Sequence, residues 1–103
     1  MNNYKSLIVK EKSKSVIEVT LNEPDRHNAL SPQMIEDLNI CFDSLNKNKK
    51  TKIIILSSTG KSFCAGGDLE WMKSQISADR ATRIREASKL ASMLNKLFYI
   101  NKT

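Results

Sequence analysis

Apolar and polar positions change their rhythm several times along the chain, and the order of those rhythms predicts an α/β fold. Two runs rich in β-branched and aliphatic residues, Ser6 to Glu11 and Ser15 to Leu21, flank Lys12-Ser13-Lys14 and read as a β-hairpin. In the second run Val16, Val19 and Leu21 are apolar beside Ile17. Periodicity stops over Asn22 to Asn28, where Pro24 cannot donate to a strand ladder and Asn and Asp favour turns, so this segment reads as a loop. Ser31-Pro32 then opens a helix, with serine as cap and proline at the first helical position, where a missing N–H costs nothing. Met34, Ile35, Leu38, Cys41, Phe42 and Leu45 follow at helical spacing as one apolar face, and the helix should end near Lys47. Lys52 to Ser57 is continuously apolar in its middle, the pattern of a parallel strand covered on both faces. Strand, helix and strand together predict a right-handed crossover unit.

Downstream, Asp68 to Met72 predicts a short helical turn, and Ser77 opens a longer helix. Its apolar face is Ile84, Ala87, Leu90, Ala91, Leu94, Leu97 and Phe98, with Arg80, Arg83, Arg85 and Lys89 largely elsewhere. No internal repeat or low-complexity segment is visible.

Between the strand and these helices lies the segment that carries candidate chemistry, Ser62-Phe63-Cys64-Ala65-Gly66-Gly67-Asp68-Leu69. It holds two of the chain's three glycines, with Gly60 close by. Glycine permits positive φ and lets a ligand approach the main chain closely, so a strand emptying into Ala-Gly-Gly-Asp reads as a binding turn. A phosphate-cradling P-loop fails on spacing. Gly60-Lys61-Ser62 matches the tail of that motif, but its first glycine would fall at Ile55, and Ser62 leads into more loop instead of a helix. Two readings stay open on the residues alone. Ala65 to Asp68 can present backbone donors to an oxygen that gains negative charge, or the glycines make a tight turn and Asp68 caps a helix.

Composition narrows the setting. A chain of 103 residues has room for one domain, and 40% hydrophobic with 27% charged residues is ordinary for a soluble globular protein. No apolar stretch approaches the roughly 20 residues of a membrane span, and Met1-Asn2-Asn3-Tyr4-Lys5 lacks the apolar core of a secretory signal. The expectation is therefore a cytoplasmic protein with no membrane partner and with Cys41 and Cys64 as free thiols. One histidine and two distant cysteines predict no metal site. The formal charge of +6 is concentrated in Lys47, Lys49, Lys50 and Lys52, which read as a solvated turn. No aromatic residue is set among them, so nucleic-acid binding is not expected.

Taken together, the Ser62 to Leu69 segment resembles the signature of the crotonase superfamily, the enoyl-CoA hydratases and isomerases. The upstream stretch Leu21-Asn22-Glu23-Pro24-Asp25-Arg26-His27-Asn28-Ala29-Leu30 resembles the family's second landmark, and the intervening helix and strand fall in the family's order. The resemblance implies a partial crotonase-like ββα spiral fold over residues 1–103 as a single partial domain. It implies an acyl-CoA thioester as substrate, with coenzyme A entering as part of that substrate and no separate cofactor. Arg26 would lie near the nucleotide phosphates. Ala29, Leu30, Ala65, Gly66, Asp68 and Leu69 would contact the CoA moiety, and Gly67 would supply one of two oxyanion-hole N–H groups. Because the backbone donates, glycine suits that position. His27 is expected to be an exposed loop histidine, and Trp71-Met72 resembles the branch that hydrates methylglutaconyl-CoA in leucine breakdown.

Complete members are about two and a half times as long, and the matching positions of the second oxyanion glycine and of the proton-transferring glutamates fall beyond Thr103. None of Glu18, Glu23, Glu36, Glu70 and Glu86 matches a family catalytic position. The expectation is an amino-terminal portion, inactive alone. The alternative is a non-catalytic CoA-binding or interaction module whose apolar helix face meets an oligomeric partner or a complementary chain.

Overall fold

In the computed structural model, which describes residues 4–100 and 102, the elements run β1 (Leu7–Ser13), β2 (Val16–Leu21), a 3-10 turn (Pro24–Arg26), α1 (Pro32–Lys47), β3 (Ile53–Ser58), α2 (Leu69–Ser77) and α3 (Arg80–Phe98). The sheet is mixed, in the order β1-β2-β3. β1 pairs antiparallel with β2 from Leu7 opposite Leu21 to Ser13 opposite Val16, and β2 runs parallel to β3 from Val16 beside Ile53. The hairpin turn is Lys14-Ser15, later than Lys12-Ser13-Lys14 predicts, because an irregularity between Glu11 and Ser13 lets β1 run on.

Local signals placed α1 well. Ser31 accepts the Met34 N–H at 3.2 Å, Pro32 fills the first turn, and the whole predicted face from Met34 to Leu45 is buried. That face packs on Leu7, Ile17, Val19 and Leu21 to form the core. Asp37 is buried with it, accepting the Ser6 N–H at 2.9 Å and the Ser6 hydroxyl at 2.6 Å, so its burial is offset by hydrogen bonds.

Three expectations are corrected. β3 is covered on one face only: Ile54 and Leu56 pack on the core while Ile53 and Ile55 are each 41% exposed, because β3 is the sheet edge and its outer face carries no layer among the described residues. The helical turn after Asp68 continues to Ser77, so Ser77 ends α2 and Asp79 starts α3 instead. Asp79 accepts the Thr82 N–H at 2.7 Å, and that bond holds its carboxyl below the usual value. Finally, α3 buries Met93, a residue outside the predicted face, and half-buries Leu90, while Ile84, Leu94, Leu97 and Phe98 stay exposed. α3 rests on α1, tied by Asn39 to the Lys89 carbonyl at 3.1 Å and by a Lys96–Asp43 ion pair at 2.9 Å. Met93 and the half-buried Leu90 are the α3 side chains that join the core.

Candidate functional site

The loop from Asn22 to Leu30 and the turn from Thr59 to Leu69 are joined along their length. The Ala65 N–H donates to the His27 carbonyl at 3.0 Å, and the Leu30 N–H donates to the Gly66 carbonyl at 2.6 Å. Between these two rungs sits Asn28, fully buried, with φ 55° in the left-handed region that Asn tolerates better than most residues. Its amide nitrogen donates to the carbonyls of Thr59 at 2.8 Å and Ser62 at 2.9 Å, and its oxygen accepts the Glu23 N–H at 2.7 Å. One side chain thus satisfies three backbone groups from both segments. Glu23 in turn accepts the Ser31 hydroxyl at 3.0 Å, which connects the loop to the start of α1.

An open cleft of about 680 Å³ lies beside this junction, lined by Arg26, His27, Ala29, Ala65, Gly67, Asp68, Leu69, Glu70, Met72 and Lys73. Of the predicted site residues, Arg26, Ala29, Ala65, Gly67, Asp68 and Leu69 are brought together there. Two are not. Leu30 turns its side chain into an apolar cavity of about 150 Å³ shared with Leu38, Phe63, Cys64 and Met93. Gly66, with φ +89°, contributes the carbonyl that holds Leu30. Both residues join the loops and do not line the cleft.

Asp68 caps α2, accepting the Trp71 N–H at 3.0 Å, while its other oxygen lies 3.6 Å from Arg26. The capping reading of Asp68 and the binding-turn reading of the glycines are therefore compatible. A Cβ at Gly67 would meet the Met72 sulfur at 3.5 Å, ordinary contact, so the methionine lies close against the glycine at the cleft wall. Among the described residues, no protein acceptor takes the Gly67 N–H. His27 is exposed as predicted but lines the cleft, with φ 54° and its Nδ1 3.4 Å from the Ser62 hydroxyl.

Sequence reasoning gave no site role to Asn28, Glu70 or Lys73. The last two had a signal available: they lie in the opening turns of the helix that Asp68 caps, three residues apart and so on one side of it, and both line the cleft. No group of three or more His, Cys, Asp or Glu side chains that could hold a metal occurs among the described residues.

The sequence model described as "Enoyl-CoA hydratase/isomerase" matches residues 11–102. The chain belongs to that family. It is 35% identical over 86 residues to the mitochondrial Delta(3,5)-Delta(2,4)-dienoyl-CoA isomerase of Mus musculus, a match covering 81% of this chain and 26% of the relative. It is 42% identical over 69 residues to 3-hydroxyisobutyryl-CoA hydrolase 1 of Arabidopsis thaliana, covering 67% of this chain and 18% of that one. Among solved structures, an enoyl-CoA hydratase from Shewanella pealeana superposes with a TM-score of 0.87 at 29% identity, over 94% of this chain and 36% of that chain. The crotonase assignment and the α/β fold class read from the sequence are borne out. The chain spans about a quarter of the length of the curated relatives it matches.

Proposed function

We propose that these residues form the CoA-facing part of an acyl-CoA site, in which the Gly67 N–H stabilises the thioester carbonyl as it becomes an enolate. The observation that carries this reading is that Gly67 lines the cleft with an N–H that no protein group accepts among the described residues, on a turn fixed by the Asn28 contacts. An oxyanion donor acts by being oriented before the charge develops, and one such donor lowers the barrier by about 3 to 4 kcal/mol. Arg26 supplies positive charge in the same cleft for the phosphates of a CoA ligand. The printed names of the relatives, a dienoyl-CoA isomerase and a hydroxyisobutyryl-CoA hydrolase among them, share the CoA thioester and differ in the acyl chemistry. The substrate class proposed here is accordingly the acyl-CoA thioester, with no acyl group singled out.

Hydration or isomerisation also needs a base and an acid placed on the α- and β-carbons. The one glutamate lining the cleft, Glu70, does not fill that role in this reading, because it lies 3.4 Å from Arg26, at the end of the cleft that the reading gives to the phosphates. The 103-residue polypeptide is therefore proposed to bind CoA thioesters without turning them over. Calorimetry with CoA and a crotonyl-CoA hydration assay on the purified chain test both halves. Micromolar binding with no turnover is expected, and turnover above background would overturn the second half. Gly67→Pro, which deletes the N–H, should weaken binding of a thioester enolate analogue more than binding of CoA itself.

A second reading, a non-catalytic CoA-binding or interaction module, is favoured by the apolar side chains left open on β3 and α3, including Ile53, Ile55, Leu94 and Phe98. Light scattering distinguishes the two. Stable self-association or capture of a complementary chain through that face would support the module.

A further inference from the structure

Arg26 stands at the cleft as its candidate phosphate ligand, yet the structure shows it already engaged by two carboxylates. Its guanidinium lies 3.6 Å from Asp68 and 3.4 Å from Glu70. The two are not equivalent. The Asp68 side chain is 10% exposed, and its second oxygen caps α2 through the Trp71 N–H, so it cannot swing away without uncapping the helix. The Glu70 side chain is 82% exposed, and Arg26 is its one ion-pair partner among the described residues. Both separations exceed the about 2.7 to 2.9 Å of a strong charge-assisted bond, so the guanidinium is held loosely. Lys73 lines the same cleft three residues beyond Glu70 and forms no ion pair among the described residues. A helical i,i+3 neighbour of that kind gives a displaced Glu70 carboxylate somewhere to go.

We propose that Glu70 is an internal competitor for the phosphate position at Arg26, so that its charge sets how strongly the cleft holds a phosphate-bearing ligand. The inference rests on the reading of the cleft as a CoA site. In the free chain Glu70 occupies Arg26. A CoA phosphate enters by exchange, and the gain is the difference between two ion pairs instead of the whole of one. Neutralising Glu70 removes both the competing pair and the repulsion it exerts on the incoming anion. Exposed pairs are weak, so the effect is several-fold: Glu70→Gln should tighten CoA about two- to fivefold at low salt. The 3′-phosphate and the pyrophosphate of CoA offer the same chemistry to Arg26, and comparison with 3′-dephospho-CoA separates them.

The experiment is calorimetric titration of wild type, Glu70→Gln, Arg26→Ala and the double variant with CoA and with 3′-dephospho-CoA. Glu36→Gln, a neutralised exposed residue on α1, serves as the control for net charge. Tightening by Glu70→Gln that disappears in the Arg26→Ala background supports the inference. If only CoA gains, the 3′-phosphate sits at Arg26; if both ligands gain, the pyrophosphate does. Wild-type binding with no gain in Glu70→Gln, or a gain that survives loss of Arg26 or is matched by Glu36→Gln, overturns the inference and leaves the CoA reading standing. No binding by any variant overturns both.

Discussion

Replacing Asn28 by alanine tests whether one side chain holds the two segments of the site together. The substitution removes three hydrogen bonds, of 2.7, 2.8 and 2.9 Å, at a residue with no solvent exposure. Each is worth about 1 kcal/mol net, and the Glu23 N–H and the carbonyls of Thr59 and Ser62 are left to find water. Alanine must also hold φ at 55°, which costs roughly 1 kcal/mol beyond what asparagine requires. The loss should therefore come to about 3 to 4 kcal/mol, a large share of the about 5 to 15 kcal/mol typical of a domain. Asn28→Gly loses the same bonds without the backbone cost and should be less damaging than alanine by up to about 1 kcal/mol. Urea unfolding, read as a shift in midpoint at constant slope, measures both. A cost below about 1 kcal/mol for Asn28→Ala would refute the reasoning, because three hydrogen bonds of a fully buried side chain cannot be lost so cheaply. So would a glycine variant clearly less stable than the alanine one.

Burial pushes the Cys41 thiol up from 9.0 to about 11, opposed by a hydrogen bond with Tyr4 and assisted by Asp37. The folded chain keeps a proton that the unfolded chain releases, so this contribution is whole below pH 9.0 and is lost as pH rises toward about 11. The loss is on the order of 2 kcal/mol, and urea midpoints across that range should show it in wild type but not in Cys41→Ala. Among the glycines, Gly60→Ala should be worst, because φ is +77° and the new Cβ would fall 2.9 Å from Pro24 Cβ. Gly66→Ala, at φ +89° with nothing within 4 Å, should cost only the backbone term of about 1 kcal/mol. Gly67→Ala should be mildest, and thermal melts should rank the three in that order. Asp37→Ala strips the Ser6 N–H and hydroxyl of their shared acceptor and should cost about 2 to 3 kcal/mol in the same urea assay.

Sequence reading succeeded where the physical cause is local. The Ser31 cap acts across three residues and the α1 face repeats within one helix, so both are legible in the order of residues alone. It went astray where two local signals were equally good or where a distant layer decides the outcome. Ser77 and Asp79 are both acceptable caps, and only the closed bond from Thr82 selects Asp79. An apolar run such as Ile53 to Leu56 satisfies the pattern of a two-sided strand, but burial of Ile53 and Ile55 depends on what covers the outer face.

The candidate site divides along the same line, and the division has a consequence for how it works. The glycine turn and the Asn22 to Leu30 loop announce themselves through residue types with unusual backbone freedom. What joins and charges them does not, because Asn28 reaches carbonyls 31 and 34 residues away and Arg26 meets a carboxylate 44 residues away. Those long-range contacts differ in kind. The Asn28 bonds are made by a fully buried side chain and satisfy three half-buried backbone groups, so breaking them together costs several times what breaking the exposed Arg26–Glu70 pair costs. A ligand with a phosphate to offer can therefore rearrange the charges at the rim while the backbone frame that carries Gly67 stays in place. Measured CoA affinity should respond about two- to fivefold to Glu70→Gln with little change in unfolding midpoint, and the unfolding midpoint should respond strongly to Asn28. Equal effects of both residues on both measurements would mean that rim and frame are a single unit.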